Sequence, residues 1–67
     1  MTVAKVSEIT SSSNKSFDDA ISQGIKRANK TLKNISSAWI ADHEVVLDKG
    51  KVTSYRVRMR ITFILED

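Results

Sequence analysis

The chain has 67 residues, a net charge of +3, two glycines, one histidine, and neither proline nor cysteine. That length suits one domain spanning residues 1–67, and below about 70–80 residues a single core seldom yields more than roughly 3–5 kcal/mol without help. Missing cysteines remove disulfides and thiolate zinc sites, and a lone His43 removes a histidine metal cluster, which leaves self-association as the expected stabiliser.

No apolar run approaches the ~18–20 residues of a membrane span. The start Met1-Thr2-Val3-Ala4-Lys5 lacks the basic stretch and apolar segment of a secretory signal, so the expectation is a soluble cytoplasmic protein.

Val3, Val6 and Ile9 mark a short first strand over 3–9, and Ser11-Ser12-Ser13-Asn14 reads as a solvated loop. It carries too little glycine to bring its amides together around a phosphate. Ser16 then caps a helix, with Asp18 and Asp19 in the first turn, where the helix dipole favours carboxylates. Phe17, Ala20, Ile21, Gly24, Ile25, Ala28, Leu32 and Ile35 recur at three- and four-residue steps and predict one apolar stripe. Gly24 within that stripe, at a cost of about 1 kcal/mol against alanine, points to a backbone packed close by. On the polar side, Lys26, Arg27, Lys30 and Lys33 complement the negative end of the helix.

A second strand is expected from Ile35 to Leu47, with Asp48-Lys49-Gly50 as the turn into a third from Lys51 to Leu65. In the third strand, Tyr55, Val57, Met59, Ile61, Phe63 and Leu65 share one parity, and Arg56, Arg58, Arg60 and Thr62 the other. Side chains alternate faces on a strand, so one face is apolar and the other cationic. The element order is β-α-β-β. This predicts an α+β fold with a parallel crossover, an antiparallel hairpin, and one helix on one face of a three-stranded sheet.

With Ala38 and Ile40 turned to the helix, regular alternation sends Ser37, Trp39, Ala41 and His43 to the arginine side. A tryptophan and three arginines on an uncovered face imply that a ligand or another subunit lies over it, unless the arginine stems alone shield the indole. Trp39 and Arg56 are the candidate pair: either they contact a flat ligand, or they stack on each other at a subunit contact. Asp42, Glu44 and Asp48 offer carboxylates for calcium, but strung along a strand rather than gathered in one loop. The arginine row also admits nucleic acid, although one aromatic is few for a single-strand binder. The arginines can equally pair with Asp42, Glu44, Glu66 or Asp67. His43 has no neighbouring nucleophile in the sequence, and no catalytic motif is legible, so an enzyme is not expected.

The capped helix running into Arg27-Ala28-Asn29-Lys30-Thr31-Leu32, the step from Thr31 to Gly50, and the ending Tyr55-Arg56-Val57…Ile61-Thr62-Phe63-Ile64-Leu65-Glu66 together resemble the dodecin family over nearly the whole chain. The resemblance implies a sheet partly wrapping its helix and twelve protomers closed into a hollow shell. It implies flavin (riboflavin, FMN or FAD) held between subunits for storage, stacked on a tryptophan of the second strand with a glutamine of the third at the ring's edge. Here the stacking position is Ser37, the only tryptophan is Trp39 two residues on, and the glutamine position is Arg56. The ligand-contacting residues implied are therefore Trp39, Arg56 and Ser37. Family members that lack the tryptophan and are described as calcium-binding make an empty-site assembly the alternative.

Overall fold

The structure, a computed structural model, describes residues 2–65; Glu66 and Asp67, two of the proposed acidic partners, lie outside the described residues. The order is β1 (Ala4–Ser13), α1 (Phe17–Ala28), β2 (Ile35–Asp48) and β3 (Lys51–Ile64). The sheet is ordered β1-β3-β2, and β3 runs antiparallel to both neighbours. Strands β1 and β2 therefore run parallel, as the crossover requires, but β3 lies between them.

Helix α1 begins where its chemistry dictates. Ser16 is extended, and its Oγ accepts from the Asp19 amide at 2.9 Å. The helix stops at Ala28, short of the predicted stripe. Beyond Asn29 the chain turns tightly, with the Thr31 amide donating to the Ala28 carbonyl at 3.1 Å, and Asn34 takes a left-handed φ of 63°. That φ suits the short polar side chain of asparagine and ends any helical course before β2. Leu32 and Ile35 still pack on the core, Leu32 from the connection and Ile35 from β2. Lys30 and Lys33 consequently lie past the helix, and its last turn carries only Lys26 and Arg27.

Strand β1 is longer than the apolar residues of its sequence suggest, since Ser11, Ser12 and Ser13 continue the ladder opposite Val57, Arg56 and Tyr55. Ser13 is buried, and its hydroxyl donates to Asp19 Oδ2 at 2.6 Å and accepts from the Lys15 amide at 2.9 Å. Pairing with β3 overrides the loop preference of serine. The hairpin turn has two residues, Lys49 and Gly50, with φ of 51° and 78°. Both are positive, as the type I′ turn that matches strand twist requires.

The helix-facing parity of β3 supplies most of the core: Val57, Met59 and Ile61 are buried together with Ala20. Gly24 does face close neighbours, but they are side-chain atoms rather than the expected backbone. A Cβ at this position would stand 2.9 Å from the Ser11 Cβ and would overlap the Met59 Cε. Phe17 closes the helix end of this core, edge-on to Tyr55 at 5.1 Å. Among the described residues, no helix is long and apolar enough to cross a membrane.

Candidate functional site

The face of the sheet turned away from α1 carries the second parity of β3. Register sets what stands beside each arginine. Arg56 is opposite Ser12 and Glu44, Arg58 opposite Thr10 and Asp42, and Arg60 opposite Glu8 and Trp39. Directly opposed side chains on one face lie about 4.5–5.5 Å apart at Cβ, so unlike neighbours interact. Arg56 Nη1 donates to Glu44 Oε1 at 3.1 Å, Arg58 Nη2 to Asp42 Oδ2, and Arg60 Nε to Glu8 Oε1 at 3.3 Å. Each pair is about half exposed, so each contributes only ~0.2–1 kcal/mol.

Trp39 is 63 % exposed, and the Arg60 guanidinium lies 4.9 Å from its ring centroid. The predicted partner of the indole, Arg56, lies four residues farther along β3, roughly 13 Å away at the rise of a strand. Within one protomer the structure brings Trp39 to Arg60, not to Arg56. Ser37 does share the face of Trp39, two residues along β2 and opposite Thr62. Of the three residues expected at a ligand, Trp39 and Ser37 are neighbours and Arg56 is separate.

His43 is not on this face. The register of β2 slips between Ile40 and Asp42, so Ala41 is the extra residue of a bulge. Past a bulge every side chain changes face. His43 then stands opposite Val57 and meets Phe17 edge-on at 4.7 Å, while Asp42 and Glu44 turn to the arginines. The acids are thus placed by the bulge, and a sequence signal for it exists. Apolar side chains Ala38 and Ile40 occupy even positions, but Val45, the next one facing the helix, is odd.

Arg60 is the residue that sequence reasoning missed. The hairpin turn alone identifies it, because nine residues back from Asp48 is Trp39 and nine on from Lys51 is Arg60, and Asp48 pairs with Lys51. The bulges at Val46/Leu47 and Ile40/Asp42 offset one another, so this simple count reaches the observed pair.

The indole offers a flat ligand a stacking platform with a guanidinium beside it and the Ser37 hydroxyl on the same face. A flat ring such as a flavin would need a platform of this kind, and Trp39 is 63 % exposed even with Arg60 beside its ring. Calcium fits less well. Asp42 and Glu44 are each engaged by an arginine, and no group of three metal-ligating side chains comes together among the described residues.

Comparison with known proteins gives one consistent result. A family profile described as Dodecin matches residues 3–66. A Mycobacterium tuberculosis protein named calcium dodecin is 25 % identical over 63 residues, spanning 94 % of this chain and 89 % of that protein. The dodecin structure from Streptomyces davaonensis superposes with a TM-score of 0.92 at 29 % identity, over 98 % of this chain and 97 % of the other. An arginine-to-alanine variant of the Thermus thermophilus dodecin gives 0.93 at 25 % identity, with complete coverage of both chains.

Proposed function

Since this chain belongs to the dodecin family, we propose that it is a non-catalytic flavin-binding and storage protein that assembles in the cytoplasm as a hollow homododecamer. The observation that carries the reading is Trp39, a large aromatic left 63 % exposed on an uncovered sheet face with a cation over its ring. A flat heteroaromatic stacked on an indole gains about 0.5–1.5 kcal/mol beyond the area it buries. Trp39 supplies the platform and Ser37 a hydroxyl beside it. Arg56 would reach this site only if a neighbouring copy presented it, because within the protomer it is held on Glu44 at a distance from the indole.

Self-assembly is supported by apolar side chains left exposed on both faces of the sheet. Val3, Val6, Val45, Leu47, Val52 and Leu65 are exposed along with Trp39, while only five hydrophobic residues are buried among those described. The acids that pair with Arg56, Arg58 and Arg60 neutralise the row that an isolated reading would assign to nucleic acid.

One observation favours a second reading, in which the shell forms but holds no flavin. The position matching the family's stacking tryptophan is Ser37, and the tryptophan present already carries Arg60 on its ring. In that reading a relative's name suggests calcium as the ligand, although Asp42 and Glu44 would first have to leave their arginines.

Titration of the purified protein into riboflavin, followed by flavin fluorescence, separates the two. Quenching that saturates at micromolar concentrations, and is lost in Trp39→Ala, supports the storage reading. Unchanged fluorescence at tens of micromolar would overturn it and leave the empty shell. Native mass spectrometry on the same sample reads the twelve-fold mass directly, and a persistent monomer would remove the assembly.

A further inference from the structure

The helix side of β1 is more polar than its position requires. Ser7 and Ser11 stand opposite Ile61 and Val57, on the face that an antiparallel sheet normally gives to apolar side chains. Ser13 spends its hydroxyl on Asp19. Ser7 and Ser11 are half-buried, and their hydroxyls make no hydrogen bond among the described residues. Both border a groove of about 400 Å³ between α1 and the edge strand β1. Its floor is apolar, built by Ile9, Ala28 and Leu32, and Arg27 stands on its wall. Ligand pockets of about 300–1,000 Å³ combine an apolar lining with a few placed polar groups in this way.

The charge around the groove has one sign. From Ala20 to Ala41 the chain carries Lys26, Arg27, Lys30 and Lys33, and no acid. Among the described residues the ion pairs belong to Arg56, Arg58 and Arg60, so Arg27 has no acidic partner there. The negative end of the helix accounts for Lys26 and Arg27, but Lys30 and Lys33 lie beyond it. An apolar trough with an uncommitted guanidinium and two unpaired hydroxyls complements a molecule with an apolar body and an anionic head.

We propose that this groove binds an amphipathic monocarboxylate of medium chain length. The body lies on Ile9, Ala28 and Leu32, and the carboxylate accepts from Arg27, with the serine hydroxyls as further donors. One guanidinium on the wall suits a singly charged head, and a volume near the lower end for ligand pockets limits the length of the body. The groove is on the opposite side of the sheet from Trp39, so it is independent of the flavin reading.

Calorimetric titration of the full chain with octanoate, hexanoate and 1-octanol tests the site. Octanoate binds, and hexanoate binds about tenfold more weakly because two methylenes leave the apolar floor. The uncharged 1-octanol binds about fivefold more weakly than octanoate, the upper range for an exposed ion pair. Arg27→Gln lowers octanoate to the affinity of 1-octanol and leaves 1-octanol unchanged. Ser7→Leu fills the trough and shuts out both. Arg27 is exposed, so Arg27→Gln keeps the fold and decides the matter even where Ser7→Leu disturbs it, as circular dichroism would show. Equal affinities for octanoate and 1-octanol, a preference that survives Arg27→Gln, or no binding of either molecule overturns the proposal. Octanoate binding retained in a folded Ser7→Leu variant overturns it as well, since the ligand then lies elsewhere.

Discussion

At Gly24 the helix packs directly against side chains of the sheet, and Gly24→Ala tests whether that approach fixes the protomer. Two effects oppose each other. In a helix interior, alanine is favoured over glycine by about 1 kcal/mol. Against this, the new methyl would sit 2.9 Å from the Ser11 Cβ and overlap the Met59 Cε. Met59 Cε is the far end of a flexible chain and can swing away within the limits of a packed core. Ser11 Cβ cannot, because it is held directly by a β1 backbone paired to β3 opposite Val57. Overpacking of this kind costs roughly 1–3 kcal/mol. Taking about 2 kcal/mol for the clash leaves a net loss of about 1 kcal/mol, and for a domain of this size Tm falls by roughly 4–8 °C. Thermal melts followed by circular dichroism, at matched protomer concentration, provide the measurement. Gln23→Ala, on the exposed side of the same turn, controls for unrelated effects of alanine at this part of the helix. Met59→Leu combined with Gly24→Ala removes the Cε contact and recovers part of the loss. A Tm for Gly24→Ala equal to or above that of the parent would refute the close-packing argument.

Ser16→Ala deletes the hydroxyl that accepts from the Asp19 amide and lowers stability by about 1 kcal/mol, read from urea midpoints at unchanged m-value. Serine at position 13 is the natural comparison, since its hydroxyl also binds Asp19 but lies on β1. A double-mutant cycle on Arg56→Ala and Glu44→Ala yields a coupling below about 1 kcal/mol that disappears at 1 M salt, as for other exposed pairs. A larger coupling that persists in salt would mean the pair is buried in the assembled protein.

The fold was legible in the sequence because its long elements keep a clear period. The alternation from Tyr55 to Phe63 describes a strand with one buried face, and Val57, Met59 and Ile61 are the buried side chains. The Lys49-Gly50 turn and the Ser16 cap were likewise marked by residues whose chemistry allows few other roles. Local propensity misled where tertiary pairing decided the outcome. Ser11 to Ser13 resemble a loop, yet β3 offers them a ladder to complete. Leu32 and Ile35 continue a helical spacing by coincidence, since a left-handed Asn34 separates them. The site was less legible than the fold because its composition depends on a single residue. The bulge at Ala41 moves His43 to the helix side and brings Asp42 and Glu44 to the arginines. No alternation rule applied across that bulge could have assembled the ladder correctly.

The ladder also bears on where copies of the chain would meet in the proposed assembly. Covering half-exposed ion pairs costs desolvation that their mutual attraction need not repay, whereas covering exposed aliphatic side chains gains about 25 cal/mol per Å². Apart from Val45, which stands opposite Tyr55 beside the Arg56 pair, the exposed aliphatic residues are not spread evenly. Leu47 and Val52 face each other next to the hairpin turn, beyond the point where β1 ends opposite Tyr55, and Val3, Val6 and Leu65 lie at the other end of the sheet. The Arg56 and Arg58 pairs occupy the stretch between them. A two-stranded hairpin extending past its third strand is marginally stable in water by itself. The physics therefore places the strongest drive for contact between copies at the two ends of the 51 Å long protomer. The charged middle remains wet, with Trp39 and Arg60 at its margin and accessible to a ligand.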